Sequence, residues 1–441
     1  MSANYPFILL SFIIGLFAVN YLRTYDIHEK EPVLKMALVT LWGGIFSIGL
    51  STVLYVSLHL IGIQGHQNVF GALFVIGPVE EAAKFLALLT CYFFIRHEIN
   101  EPTDGLIYMS CVALGFSLIE NYFYAINSQR SGFIFFLRLL TSTPGHILFS
   151  VFMGIAFYSI VRLKTGIMLF LASYAYASLA HGLYNSIVFH GLSVFLLMFL
   201  LFKSYKWSLS LLSYTTAKSP FRQSIKEFIA DYENPVKESG YGCPNCGSTN
   251  SKISYTKGRI HIQKCDNCQN FLATGDTLCE VYKYFGSIFQ NKANPYHVKK
   301  FRISSFFKWF KKKAVENGEN IVSFSLDELN ATLIQKNNEI VEKLESKWWF
   351  PIKYDFKPKK SVDYLEDVAG RGQKAQQKSA RWLGANKVFW IPLLITAVAV
   401  AIVLIKLGTA ENILPFLFIG FPFIIIFFGI IYAVGLMIKD G

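Results

Sequence analysis

The sequence predicts an all-α polytopic membrane protein of about nine transmembrane helices, interrupted by a cytoplasmic insert that is β-rich at its start and α-helical beyond. Three observations carry this. Of 441 residues, 53% are hydrophobic and only 16% charged, well below the roughly 25% charge of an ordinary soluble domain. Several apolar stretches reach the roughly 20 residues that a bilayer crossing requires. The whole +13 net charge lies in one polar stretch, because residues 203–387 hold 31 of the 42 Lys and Arg and 18 of the 29 Asp and Glu.

The apolar stretches fall at 5–22, 36–61, 68–95, 105–126, 133–161, 166–189, 191–205, 388–406 and 413–437. The first lacks a basic leader and a small-residue cleavage site, so it is expected to stay as a helix and not be removed as a signal peptide. Short-loop charge sets the orientation. Arg23, Lys30 and Lys35 follow the first stretch, Arg96 the third, and Arg162 and Lys164 the fifth. The loop IQGHQN has no Lys or Arg, and the 127–132 loop has only Arg130. The N-terminus is therefore expected outside and the 203–387 insert in the cytoplasm, with the last two stretches as a returning hairpin.

Within the insert, Cys243, Cys246, Cys265 and Cys268 read C-x2-C-x18-C-x2-C. Two such knuckles supply four thiolates to one tetrahedral zinc ion, with SKISY and RIHIQ alternating between them like short strands. Structural Zn2+ in a small zinc ribbon is the expectation; a disulfide pairing is weaker in a reducing cytoplasm. His261 is expected as a strand residue, and Cys91 and Cys111 as packing residues. Beyond the ribbon, Ile303, Phe306, Phe307, Phe310 and Ala314 recur at helical spacing beside Lys308 and Lys311–Lys313. This suits either an interfacial helix on anionic lipid or a core helix with a basic outer face. For a membrane-tethered basic domain, anionic lipid is a nearer partner than nucleic acid. Ser325 and Glu328 form a capping-box pattern before a soluble helix. The expected divisions are a helical core at 1–205, a linker at 206–239, the ribbon at 240–275, a basic helical region at 276–350, a polar juxtamembrane tether at 351–387 and the terminal hairpin at 388–441.

The apolar stretches also carry costly polar groups. GPVEEAAKFLAL places Glu80, Glu81 and Lys84 in the third, each costing about 2.5–3.5 kcal/mol at a helix centre on insertion scales. Glu120 and Asn121 lie in the fourth (FSLIEN), His146 in the fifth (HILFS), and His181 and Asn185 in the sixth (HGLYN). Glu80 and Lys84 are spaced i,i+4 in the favourable order for an ion pair, which leaves Glu81 as the better candidate for chemistry. A carboxylate tuned between burial and a nearby Lys can act as general base on water. Two His residues can polarise a carbonyl, hold an oxyanion or bind a metal. Structural readings stand beside these: an ion-pair clamp for Lys84, interhelical bridges for the His residues, and hydrogen bonds between helices for Asn121 and Asn185. Asp104 is expected as a helix cap, and Ser142 and Ser150 as backbone-bonded.

In this order, EEAAK, FSLIEN, HILFS and HGLYN resemble the PrsW family of intramembrane proteases, related to the CAAX prenyl endopeptidase group. EKEP at 29–32 and DGLIY at 104–108 share the likeness, which covers about residues 5–205. The resemblance implies cleavage of a membrane-protein substrate, typically after a first cut elsewhere, in anti-sigma-factor signalling in a bacterial-type inner or plasma membrane. It implies Glu80, Glu81, Glu120, His146 and His181 as catalytic, with Lys84, Asn121 and Asn185 in support. A catalytic metal is often suggested for the group. The CAAX relatives carry a His where this chain has Glu120–Asn121. Two other classes remain open from the residues: a scaffold that binds partner helices through the same polar pocket, and a proton-coupled transporter. No matching pair of broken half-helices supports the latter.

Overall fold

The computed structural model describes residues 5–346, apart from 64–67, 128–130, 164–165, 192, 234, 240–241, 250 and 290–320. The basic run at 301–314, the tether and the stretches at 388–406 and 413–437 therefore lie outside the described residues. The described residues divide into two compact units, one within residues 5–215 and one within residues 216–346.

The first unit is a helical bundle. Its helices are α1 (Tyr5–Arg23), α2 (Val33–Leu60), α3 (Val69–Gly71), α4 (Gly77–Ile95), α5 (Pro102–Ile126), α6 (Ser131–Leu163), α7 (Ile167–Phe189) and α8 (Val194–Ala217). A π-helical turn, Ala72–Ile76, joins α3 to α4. Among the described residues, α2, α5, α6, α7 and α8 are long and apolar enough to cross a membrane. The apolar part of α1 is shorter, and α4 carries three ionisable residues within 19. Helix α8 continues to Ala217, well past the expected end at 205, so the first part of the expected linker is helix. The outward faces of α1 and α8 expose Phe17 and Phe195, the kind of apolar surface that lipid covers.

Helix α5 is central and packs on α1, α2, α4 and α6. Its N-terminus is held by a reciprocal capping box between Glu101 and Asp104, the role expected of Asp104. Cys91 and Cys111 are buried in the apolar core, as expected.

Glycine makes the helix crossings possible. A Cβ on Gly115 would lie 1.9 Å from the Thr40 carbonyl oxygen across the α2–α5 crossing. Gly105 and Gly154 would each collide with the other's carbonyl across α5–α6, at 2.2 and 2.3 Å. At α4–α7, a Cβ on Gly77 would lie 2.2 Å from the Ser178 oxygen, and one on Gly182 would lie 2.5 Å from the Ala72 oxygen. Such close backbone approach is what small residues provide between membrane helices. Gly182→Ala is expected to lower stability by about 1–3 kcal/mol through overpacking. Thermal unfolding in detergent checks this, with Gly132→Ala, which meets nothing within 4 Å, as the unperturbed control.

The second unit holds a five-stranded antiparallel sheet in sequential order: β1 (Val236–Ser239), β2 (Ser251–Lys257), β3 (Ile260–Cys265), β4 (Phe271–Thr274) and β5 (Ile321–Phe324). Short helix α9 (Ile225–Ala230) starts on a Ser224–Glu227 capping box. Helix α10 (Gly275–Gly286) buries Leu278, Val281, Tyr282 and Phe285, spaced along one face. Helix α11 (Leu326–Glu345) adds Leu329 and Leu333 to the same core, which also contains Ile262 and Phe271. Ser325 occupies the N-cap position of α11 but makes no side-chain capping bond, contrary to the expected box. His261 lies in β3 and contacts Thr256 Oγ1 at 2.9 Å through Nδ1, consistent with a strand role.

Candidate active site

Four helices bring the intramembrane polar residues to one place. Lys84 Nζ donates to Glu81 Oε1 at 2.6 Å and lies 2.9 Å from His146 Nδ1. His146 Nε2 lies 2.8 Å from Glu120 Oε2. His181 Nδ1 lies 2.8 Å from Glu81 Oε1, and the two imidazoles meet edge to face at 4.7 Å between centroids. Glu80 Oε1 accepts from the Tyr55 hydroxyl at 2.9 Å, and Glu80 Oε2 lies 3.4 Å from His181 Nε2. Phe116 floors the cluster, with its ring 4.4 Å from Lys84 Nζ.

The network assigns the protons. Paired with Glu81, the Lys84 ammonium can only donate, so His146 Nδ1 accepts and its Nε2–H donates to Glu120. Glu81 likewise takes the His181 Nδ1–H. That leaves the His181 Nε2 lone pair facing Glu80 Oε2, an oxygen that is buried without a hydrogen bond. Two acceptors facing each other require a proton or a cation between them.

The pairing of the two adjacent carboxylates is the reverse of the sequence expectation. Lys84 pairs with Glu81 at i,i+3, not with Glu80 at i,i+4. Glu81 is fully satisfied, because Ser150 donates to its second oxygen at 2.6 Å. Ser150 is thus a partner of Glu81 and not merely backbone-bonded. The Glu81 side chain is 0% exposed, that of Glu80 10% and that of Glu120 17%, so the cluster opens on the Glu80–Glu120 side. Glu80 keeps a little exposure where Glu81 has none, although Glu80 Oε2 itself is buried.

Arg138 is a member that sequence reasoning missed. It pairs with Glu120 at 2.7 Å and donates to Asn121 Oδ1 at 2.9 Å and to the Ser142 hydroxyl at 3.1 Å. Asn121 in turn donates to Thr143 at 2.9 Å, a bond between α5 and α6. Asn121 and Ser142 therefore hold Arg138, which holds Glu120. A lone Arg in the apolar run FIFFLRLL was the available signal. Tyr55, one of 23 tyrosines, carried none. Asn185 is half-buried one turn after His181, and none of the site's hydrogen bonds described above involves it.

Residues 31–206 match the model of the PrsW family, described as intramembrane metalloproteases. Proteins named Protease PrsW are similar over the same part. That of Clostridioides difficile (strain 630) is 28% identical over 149 residues, covering 33% of this chain and 61% of the relative. That of Oceanobacillus iheyensis is 31% identical over 149 residues, 32% of this chain and 64% of the relative. That of Bacillus subtilis (strain 168) is 27% identical over 145 residues, 32% and 62%. The chain thus spans about three-fifths of the length of these relatives. No solved structure matches it.

For the metal named in the description of the PrsW family, Glu80 Oε2 and His181 Nε2 face each other as free donor atoms, whereas both His146 nitrogens are engaged, Nδ1 by Lys84 and Nε2 by Glu120, so His146 joins only by giving up one of those bonds. Glu80, His146 and His181 each offer one ligand atom within 4.8 Å of the others. Three carboxylates here face two paired cations, Lys84 and Arg138, and Glu80 is the carboxylate without either. The Glu81–His181 bond is the outer carboxylate–imidazole contact that commonly orients a metal ligand.

A second donor set lies outside residues 31–206. Cys243, Cys246, Cys265 and Cys268 gather their sulfurs within 4.8 Å. Cys243 and Cys268 Sγ are 3.6 Å apart, and Cys246 and Cys265 Sγ 3.8 Å. Burial pushes the Cys243 thiol up to about 11, whereas the Ser248 backbone N–H holds that of Cys246 down at about 6.

Proposed function

We propose that the helical unit is an intramembrane endopeptidase that hydrolyses peptide bonds of membrane-protein substrates, with Glu80 as general base. The observation that carries this is the buried Glu80 oxygen that has no hydrogen bond and faces His181 Nε2, on the less enclosed side of the cluster. Glu80 Oε2 takes a proton from water as the water oxygen bonds to the scissile carbonyl carbon. As the C–N bond breaks, Glu80 returns that proton to the leaving amine. Tyr55 orients Glu80, and Glu81 fixes the His181 tautomer. Lys84 neutralises Glu81, and Arg138 holds Glu120 against His146. A divalent metal held by Glu80, His181 and, once released from one of its present hydrogen bonds, His146 would supply Lewis acidity at the same point and would make bound water more acidic. Burial strengthens every one of these interactions.

The same reading places the four-cysteine cluster as a structural zinc ribbon in the cytoplasm, the chain in a bacterial-type inner or plasma membrane, and the basic insert against anionic lipid. Arg23, Lys35, Arg96 and Arg162 support this orientation, because they gather at one end of the bundle: Arg162 bonds the Ile99 and Arg96 carbonyls, and Lys35 pairs with Glu98. A role in regulated proteolysis follows from the family likeness. Mass spectrometry of membrane-protein fragments in cells carrying either wild type or Glu80→Gln tests the enzyme. Fragments present with wild type and missing with the variant are expected. Identical fragments from both, with equal protein levels, would leave a helix-binding scaffold instead.

A further inference from the structure

At the bundle end away from the base, the 24–32 loop and the start of α5 bring acidic side chains together. Ile95 closes α4 15 residues after Glu80, so this end lies about 22 Å from the site at 1.5 Å per residue. Asp26, Glu31, Glu101 and Asp104 are all buried. One oxygen each from Asp26, Glu101 and Asp104 lies within 4.8 Å of the others. Among the described residues, no Lys, Arg or His forms an ion pair with Asp26, Glu31 or Asp104. The neighbouring cations are engaged elsewhere, Arg23 on the Glu31 backbone carbonyl at 2.6 Å and Lys35 on Glu98.

The local donors do not satisfy the cluster. Asp26 Oδ2 accepts from Glu31 N at 3.0 Å, and Asp104 Oδ2 accepts from Asn100 N and Glu101 N, both at 2.7 Å. Tyr108 donates to Glu31. Asp26 Oδ1, Asp104 Oδ1 and the side-chain oxygen of adjacent Asn100 are nevertheless buried without a hydrogen bond. Both aspartates are 0% exposed and Asn100 is 5% exposed. Buried acceptors without donors are rare in folded proteins. A proton shared between carboxyls would leave the Asn100 amide oxygen unmet, whereas a cation takes carboxylate and amide oxygens alike.

We propose that Asp26, Glu101 and Asp104, with Asn100 beside them, hold a hard divalent cation of Ca2+ size that fastens the α1–α2 loop to the N-terminus of α5. The all-oxygen donor set selects this class. Ca2+ accepts irregular sets of carboxylate and amide oxygens, whereas Mg2+ demands near-ideal octahedral geometry and usually keeps several waters, so a donor set supplied by the protein suits Ca2+ better.

The test uses the purified full chain in detergent at pH 7.5 after EGTA treatment. Millimolar CaCl2 is expected to raise the melting temperature by about 4 °C or more. Glu80→Gln should keep this response, and Asp104→Asn should lose it. If Asp104→Asn does not fold, Tb3+ serves as the probe. Its tyrosine-sensitised emission should be displaced by Ca2+ and fall several-fold in Tyr108→Phe. A melting temperature that ignores Ca2+ and rises only on acidification would show that protons alone satisfy the cluster, and would overturn the proposal. Absence of Ca2+-displaceable Tb3+ emission from the wild type would do the same.

Discussion

Glu80→Gln is expected to reduce cleavage by about 10³-fold while leaving the fold as stable as wild type. A positioned general base contributes about 10²–10⁴-fold. The glutamine retains the oxygen that accepts from Tyr55 and offers an N–H to His181 Nε2, where the carboxylate presents a second acceptor. Glu81→Gln is expected to behave differently. It strands Lys84, which is 0% exposed, and weakens the bonds from His181 and Ser150. Removing one partner of a buried ion pair costs about 3–5 kcal/mol, so this variant should lose both stability and cleavage. Adding Lys84→Met should restore most of the stability and none of the activity, since replacing both partners removes the uncompensated charge. Thermal unfolding and fragment analysis on the same preparations separate the two. Equal melting of Glu81→Gln and wild type would sink this division of roles.

The positions of the helices and the membership of the polar cluster were legible because both depend on residue type and period. A bilayer crossing needs a run of apolar residues, and a charge inside that run is conspicuous. Pairing within the cluster was not legible. Residues i+3 and i+4 are both neighbours on a helix, so Lys84 could have served Glu81 or Glu80. Partners from other helices decided between them. His181 and Ser150 reach Glu81 from α7 and α6, while Tyr55 reaches Glu80 from α2. The glycines that set those approaches, Gly77 and Gly182, act through absent atoms, which no motif records. The π-helical turn before α4 changes the helix phase just ahead of Glu80, and periodicity does not reveal it. The acidic cluster was half visible. Asp104 read as a cap and is one, but Asp26 is 78 positions away in sequence, and nothing local announces their meeting.

Replacing Cys265 with Ser is expected to remove one zinc per chain and melt the knuckle region of the second unit. Four thiolates at about 2.3 Å from a tetrahedral zinc have sulfurs about 3.8 Å apart. The observed 3.6 and 3.8 Å already match that edge, and a disulfide would bring a pair to about 2.05 Å. The knuckles are built alike. Gly247 N bonds Cys243 O at 2.8 Å, and Gln269 N bonds Cys265 O at 2.9 Å. The residue after each second cysteine is left-handed, with φ 69° at Gly247 and 63° at Gln269. Zinc at such sites stabilises by about 10–16 kcal/mol in small peptides. Here Ile262, Phe271, Val281 and Leu333 form a separate core, so the helices should outlast the knuckles. Protease cuts between 243 and 270 should appear at least about tenfold faster in Cys265→Ser, since the metal's share of local stability is lost. Elemental analysis also separates the two donor sets. Any transition metal that Cys265→Ser retains reports the Glu80 site, and Glu80→Gln in the same chain should remove it. A chelator strips both sites at once and cannot make this distinction. Wild-type protein without zinc that still resists protease across 243–270 would refute the ribbon.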